Sequence, residues 1–394
     1  MIYNKKDNKE VKKMKNIVYP DYNNSIMNTI STILTHYGIE SNYSTIEDLS
    51  NSLNKPHQNV VLMVFDGMGI DMLNQNLKAD DFINQNIIKE LTSVFPSTTT
   101  AAMTAYYSGK SPNEHGWLGW SLYFKEYGRF IDTFINTDSY SGEKIDAPHA
   151  GHTCMPYEHI LDKIEQTTNQ RIKTYMIEPA YIAYQGKNTK IGVESAKEVF
   201  TELKKLCDAP HDKFIFVYWP DPDKTMHSTG CYSNETKEKI KEINDLFKQI
   251  VETTSNTLFI ASADHGLIDV EPTIYLNEYE ELDECFIMPP SIEKRAVSFF
   301  IKPEMKQAFE ERFNRLFGEE FILLSKQEVL NQQLFGQGLS HRKTTDFLGD
   351  YLACATGKKV LGYLAMTTKR FDFGATHAGL TKEEMMVPLI IIES

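Results

Sequence analysis

The chain has 394 residues, 54 acidic against 41 basic side chains, a formal net charge of −13, and 41% hydrophobic and 24% charged residues. This is a globular composition whose length suits one large α/β domain with an insertion, or two domains, and its acidic balance excludes a broad basic field for holding nucleic acid. No apolar run reaches membrane-spanning length, no signal-peptide core follows the start, and the five cysteines (Cys154, Cys207, Cys231, Cys285, Cys354) are odd in number without CxxC spacing, so the expectation is a cytoplasmic protein with reduced thiols.

Residues 1–16 form a lysine-rich tail, in which Met14 offers an alternative start. Ile30, Ile33, Leu34 and Tyr37, ahead of Gly38, predict a helix, and "NVVLMVFDG" (59–67) predicts a buried strand ending at Asp66. In "FPSTTTAAMTAYYSG" (95–109), Ser97 or Thr98 is placed to cap a helix, although three successive threonines are more than a cap requires. Residues 117–158, with Trp117, Trp120, Tyr123 and Phe124, show no clear alternation and read as a loop-rich lid.

Beyond the lid, "RIKTYMIEP" (171–179), "KFIFVYWPD" (213–221) and "NTLFIASADHG" (256–266) repeat the buried-strand pattern. Helices are predicted around Ile160, Leu161 and Ile164, around Val199, Phe200 and Leu203, and from an Asn234 N-cap through Ile240, Ile243, Phe247 and Ile250. Such alternation predicts an α/β fold, a mostly parallel doubly wound sheet with helices on both faces. Residues 267–344 break the pattern, reading strand, helix from Pro303, strand and short helix, a smaller α+β cap insertion. The catalytic domain is therefore assigned to 17–266 and 345–394.

Ligands of open α/β sheets bind at the carboxyl ends of the strands. Those ends carry Asp66, Asp221, Asp223 with His227, and Asp264 beside His265. Each has a plain structural reading as a turn or cap residue. Asp223 and His227 converge on one cation if that segment is helical, Asp264-His265 reaches one ion or bridges two, and His377 in "THAGLT" is a third imidazole beside small residues. Mixed oxygen and imidazole donors suit zinc, manganese or iron better than calcium.

In order and separation, "VFDGMG", "FPSTTTAAMTAYYSG", "DPDKTMHSTG", "ADHG" and "THAGLT" resemble the alkaline phosphatase superfamily and, within it, the nucleotide pyrophosphatase/phosphodiesterase (type I phosphodiesterase) family, over about residues 58 to 390. The resemblance implies a hydrolase with two divalent ions, Zn2+ or alternatively Mn2+, one held by Asp223, His227 and His377 and the other by Asp66, Asp264, His265 and the nucleophile Thr99. It further implies cleavage of phosphodiester or pyrophosphate bonds of small nucleotide-like substrates through a phosphothreonine. Backbone N–H groups near Thr100 are candidates for binding the phosphoryl oxygens, and Trp117 and Trp120 for stacking on a nucleobase, or alternatively for packing the lid. The family's asparagine three residues after the nucleophile is replaced by Ala102, with Asn113 and His115 as possible substitutes or simple turn residues. A phosphomonoesterase or phosphomutase of the same superfamily, with "SHRKTTDF" (340–347) and Lys294-Arg295 as candidate phosphate contacts, and a nonenzymatic metal- or nucleotide-binding protein remain the alternatives.

Overall fold

A computed structural model describes residues 16–182, 184, 186–364 and 370–394; the basic tail lies outside these residues except for Asn16. Its main sheet has seven strands in the spatial order Ile87–Thr92, Met386–Glu393, Thr257–Ser262, Asn59–Phe65, Lys213–Trp219, Lys173–Pro179 and Thr189–Val193. The five from Thr257–Ser262 onward are parallel, and Met386–Glu393 runs antiparallel to both of its neighbours. All seven residues of the central strand, "NVVLMVF", are buried, as a strand covered on both faces requires.

Two groups of helices share a core with this sheet. Ile26–His36, Thr99–Ser108 and Ile160–Thr167 form one, and Ile70–Asn76, Ala196–Cys207 and Asn234–Thr253 the other. The longest, Asn234–Thr253, buries Ile240, Ile243, Phe247 and Ile250, each apolar side chain contributing about 1.5–3 kcal/mol. Its N-cap is Ser233, not Asn234: the Ser233 hydroxyl accepts the Thr236 N–H, and Asn234 is the first helical residue. Among the described residues, no helix is long and apolar enough to cross a membrane, and all five cysteines are buried and free.

The segment read as a lid contains strands, and these enlarge the second lobe beyond the expected cap. A second, antiparallel seven-stranded sheet runs Phe321–Ser325, Tyr351–Ala355, Ala296–Phe299, Ser291–Ile292, Ser121–Phe124, Arg129–Asp132 and Thr137–Asp138. It therefore takes three strands from the 117–158 segment and one from beyond residue 344. Helix Lys306–Phe317 buries Phe309, Phe313 and Phe317 in a core shared with this sheet. Strands of two to five residues carry too few alternations to register as a period. The lobes are tied by a fully buried bidentate pair, Arg295 to Glu384, with Nε–Oε1 and Nη2–Oε2 both 2.7 Å.

Candidate active site

In the main sheet Asn59 pairs with both Lys213 and Thr257, so Phe65 is level with Trp219 and Val64 with Ser262. The chain consequently leaves three adjacent strands at nearly one level, which gathers Asp66, Asp223 and Asp264. Gly67, at φ +72°, makes the turn after Asp66; a Cβ there would lie 2.5 Å from Leu267 Cδ1 and 2.9 Å from Asp223 Cβ. Its N–H and that of His265 both donate to Asp264 Oδ1, at 3.1 and 2.9 Å, and Tyr218 donates its hydroxyl to Asp66 Oδ2 at 2.5 Å. Asp221 is occupied as the acceptor of the Thr225 hydroxyl at 2.8 Å.

Asp223 opens the helix Asp223–Thr229, which brings His227 Nε2 within 3.2 Å of Asp223 Oδ2. His377 follows the short strand Ala375–Thr376, which pairs with Ile268–Asp269 just beyond His265. Its ring stacks on His265 at 3.9 Å, with Nε2 3.6 Å from Asp223 Oδ1. Two compact donor groups result, Asp66–Asp264–His265 and Asp223–His265–His377, each with ligand atoms within 4.8 Å of one another. His265 thus belongs to both, whereas His227 touches Asp223 from outside the second triangle.

The tautomers are set by backbone carbonyls, which only accept. His227 Nδ1 donates to Ala375 O at 2.9 Å, His265 Nδ1 to Gly266 O at 3.0 Å and His377 Nδ1 to Ser97 O at 3.2 Å. In the neutral rings each Nε2 is then a lone pair facing carboxylate oxygens, an arrangement of acceptors against acceptors that a cation or extra protons must relieve. Asp223 Oδ1 and Asp264 Oδ2 are buried without a hydrogen-bond partner. Burial, then the charges of Asp264 and Asp223, push the Asp66 carboxyl well above the usual range, and burial raises Asp264 against the pull of His265. Burial also works to raise Asp223, but the imidazoles of His227, His377 and His265 outweigh it and hold that carboxyl low. Burial and the neighbouring His265 keep His377 well below its ordinary value. The donor set therefore fits divalent cations with mixed oxygen and nitrogen ligands.

Thr99 is the first residue of the helix Thr99–Ser108. Its Oγ1 lies 3.1 Å from His265 Nε2 and 3.4 Å from each Asp66 oxygen. The three threonines have three separate roles. Thr98, the N-cap residue, makes no side-chain cap and gives its hydroxyl to Glu293 Oε1 at 2.7 Å. Thr99 faces the donor groups, and Thr100 is fully buried with an unpartnered Oγ1. The N–H groups of Thr99, Thr100 and Ala101 have no backbone acceptor, the first helical hydrogen bond being Ala102 N–H to Thr98 O at 2.9 Å.

Trp117 is 2% exposed, spends its indole N–H on Met155 O at 2.9 Å and packs in the second lobe's core, where burial leaves no open face for a base. Trp120 is 36% exposed beside Phe134. Ala102 points into the main core, Asn113 bonds Gly338 O and Ser340, and His115 bonds Ala101 O, so all three are structural. Among the candidate phosphate contacts, Arg295 is engaged by Glu384 and Lys343 by Glu126, and Lys294 lies over the Phe373 ring.

Glu293 was not legible as a site residue, since nothing in "SIEKR" marks it. It follows Ile292, a β-branched residue at φ +80°, whose carbonyl would lie 2.6 Å from any Cβ at Gly119. Besides Thr98, the Trp120 N–H donates to its Oε1 at 2.7 Å, and burial pushes its carboxyl up to about 7 against those two donors.

A family model described as type I phosphodiesterase / nucleotide pyrophosphatase matches residues 60–330. Among solved structures, murine ectonucleotide pyrophosphatase/phosphodiesterase 5 is similar at 14% identity and TM-score 0.62, over 85% of this chain and 88% of that one. An inactive variant of the murine protein in complex with AMP gives 14% and 0.61 over 85% and 87%. Phosphonoacetate hydrolase from Sinorhizobium meliloti 1021, in complex with phosphonoformate, gives 15% and 0.60 over 85% and 90%. At these identities the likeness is one of fold. No curated protein sequence gives a significant match.

Proposed function

Because the chain belongs to the type I phosphodiesterase/nucleotide pyrophosphatase family of phosphoester hydrolases, we propose that it cleaves phosphodiester or pyrophosphate bonds of nucleotide-like substrates with Thr99 as nucleophile. The observation that carries this reading is the convergence of Thr99 Oγ1 on His265 and Asp66 at the start of a helix whose first amides are free. Asp66, Asp264 and His265 would hold one cation beside Thr99, and Asp223, His227 and His377 a second. Zinc or manganese there would supply Lewis-acid stabilisation of the reacting oxygens.

Thr99 Oγ1 gives up its proton to solvent and attacks phosphorus, the bond from phosphorus to the leaving oxygen breaks, and a phosphothreonine forms as the alcohol, nucleoside or phosphate departs, taking a proton from solvent. Water then attacks phosphorus, the bond to Oγ1 breaks, and Thr99 is regenerated; two in-line displacements retain configuration at phosphorus. Throughout, the free N–H groups at Thr99–Ala101 and the positive end of the helix face the phosphoryl oxygens. The pairs of Arg295 with Glu384 and of Lys343 with Glu126 occupy two of the basic residues the mutase alternative would need for sugar phosphate.

The test is steady-state hydrolysis of the p-nitrophenyl ester of thymidine 5′-monophosphate and of p-nitrophenyl phosphate by metal-loaded protein. A kcat/KM ratio of about a hundred for the diester, nearly 3 kcal/mol of transition-state discrimination, is expected. Preference for the monoester, or no turnover of either with metal bound, would refute the reading.

A further inference from the structure

Glu293 reaches the nucleophile's helix from the other lobe. It sits between the strands Ser291–Ile292 and Ala296–Phe299, and its Oε1 accepts the Thr98 hydroxyl at 2.7 Å. Both groups on its Oε1, the Thr98 hydroxyl and the Trp120 N–H, donate protons, so the carboxylate is held in one orientation as an acceptor. The left-handed Ile292 just before it is costly backbone for a β-branched residue, and Gly119 makes room for it. The group is also within electrostatic reach of His227. Its neighbour Lys294 lies over the Phe373 ring, 4.6 Å from the centroid, within electrostatic reach of Glu293, Asp132 and Asp372.

We propose that Glu293 is a specificity-determining residue: its carboxylate, held by the hydroxyl of Thr98, the chain neighbour of Thr99, opposes the second negative charge of a phosphate monoester and so selects monoanionic diesters. The inference rests on the phosphodiesterase reading above and deepens it, by assigning the choice of substrate class to charge repulsion. A diester has one anionic charge on its phosphoryl oxygens. A monoester carries nearly two above its second pKa of about 6, and a like charge close by in a partly buried site is poorly screened.

The experiment compares wild type with Glu293→Gln, which keeps an oxygen for Thr98 and Trp120 but removes the charge. Both proteins, metal-loaded, are assayed at about pH 9, where a carboxyl raised to about 7 is ionised, on p-nitrophenyl phosphate and on p-nitrophenyl thymidine 5′-monophosphate, with inorganic phosphate as a competitive inhibitor. The expected result is a rise of about tenfold or more in the monoester-to-diester ratio of kcat/KM, equivalent to 1.4 kcal/mol, together with tighter inhibition by phosphate. An unchanged ratio and an unchanged inhibition constant, in a variant that still turns over the diester, would overturn the role of Glu293 while leaving the phosphodiesterase reading standing. If wild type hydrolyses neither ester, that reading and this inference both fall. Should Glu293→Gln not fold, Glu293→Ser, which leaves room for water between Thr98 and Trp120, gives the same comparison.

Discussion

Replacing Arg295 by Met tests how the two lobes fix the site. Arg295 is fully buried and makes four hydrogen bonds: two to Glu384 at 2.7 Å, and one each to Lys359 O and Gly357 O at 2.8 Å. Glu384, also fully buried, accepts the Gly379 N–H and the Thr381 hydroxyl, both at 2.7 Å. Met fills a similar length but leaves a buried carboxylate with only neutral donors. Removing one partner of such a pair costs about 3–5 kcal/mol, a large part of a stability of about 5–15 kcal/mol. Because Gly379 is two residues past His377, the loosened loop is also expected to weaken metal binding, at a site the substitution does not touch. Urea unfolding followed by circular dichroism, with metal content after gel filtration, checks both effects. The double variant Arg295→Met/Glu384→Gln removes the unpaired charge and is expected to regain part of the loss. A single-variant cost below about 1 kcal/mol would place the pair with surface ion pairs and refute the reasoning.

Thr99→Ala is expected to abolish turnover while leaving metal content close to wild type; loss of the metal instead would make Thr99 chiefly structural. His377→Ala is expected to lower activity and metal occupancy together, and full activity would remove His377 from the site. The Glu293 carboxyl, raised from 4.5 to about 7, keeps a proton in the folded chain across a window in which the unfolded chain has lost it, so its stabilising contribution is full below 4.5 and is lost as pH rises through about 7. The stability of wild type relative to Glu293→Gln is thus expected to fall across that window, by at most about 3 kcal/mol; a flat difference in urea midpoints would show that the carboxyl is not perturbed.

The sequence by itself determined the parallel core strands and the residues at their carboxyl ends. A strand buried on both faces must be a continuous apolar run, and the polar residue that ends it is conspicuous: Asp66 after "NVVLMVF" and Asp264 after "TLFIAS" are visible without any coordinates. The four-residue spacing of Asp223 and His227 was legible for the same local reason, one turn of helix. Tertiary structure alone decided that His265 belongs to both donor groups, that the Nδ1 atoms of three histidines are bound by the carbonyls of Ala375, Gly266 and Ser97, and that Glu293 meets Thr98 across 195 residues of chain. It also decided that Trp117 is core and that residues 121–138 join the same sheet as residues 291–355. Local periodicity records which side of an element is buried. It cannot record which distant segment supplies the partner, because that choice depends on contacts between short strands and loops far apart in the chain.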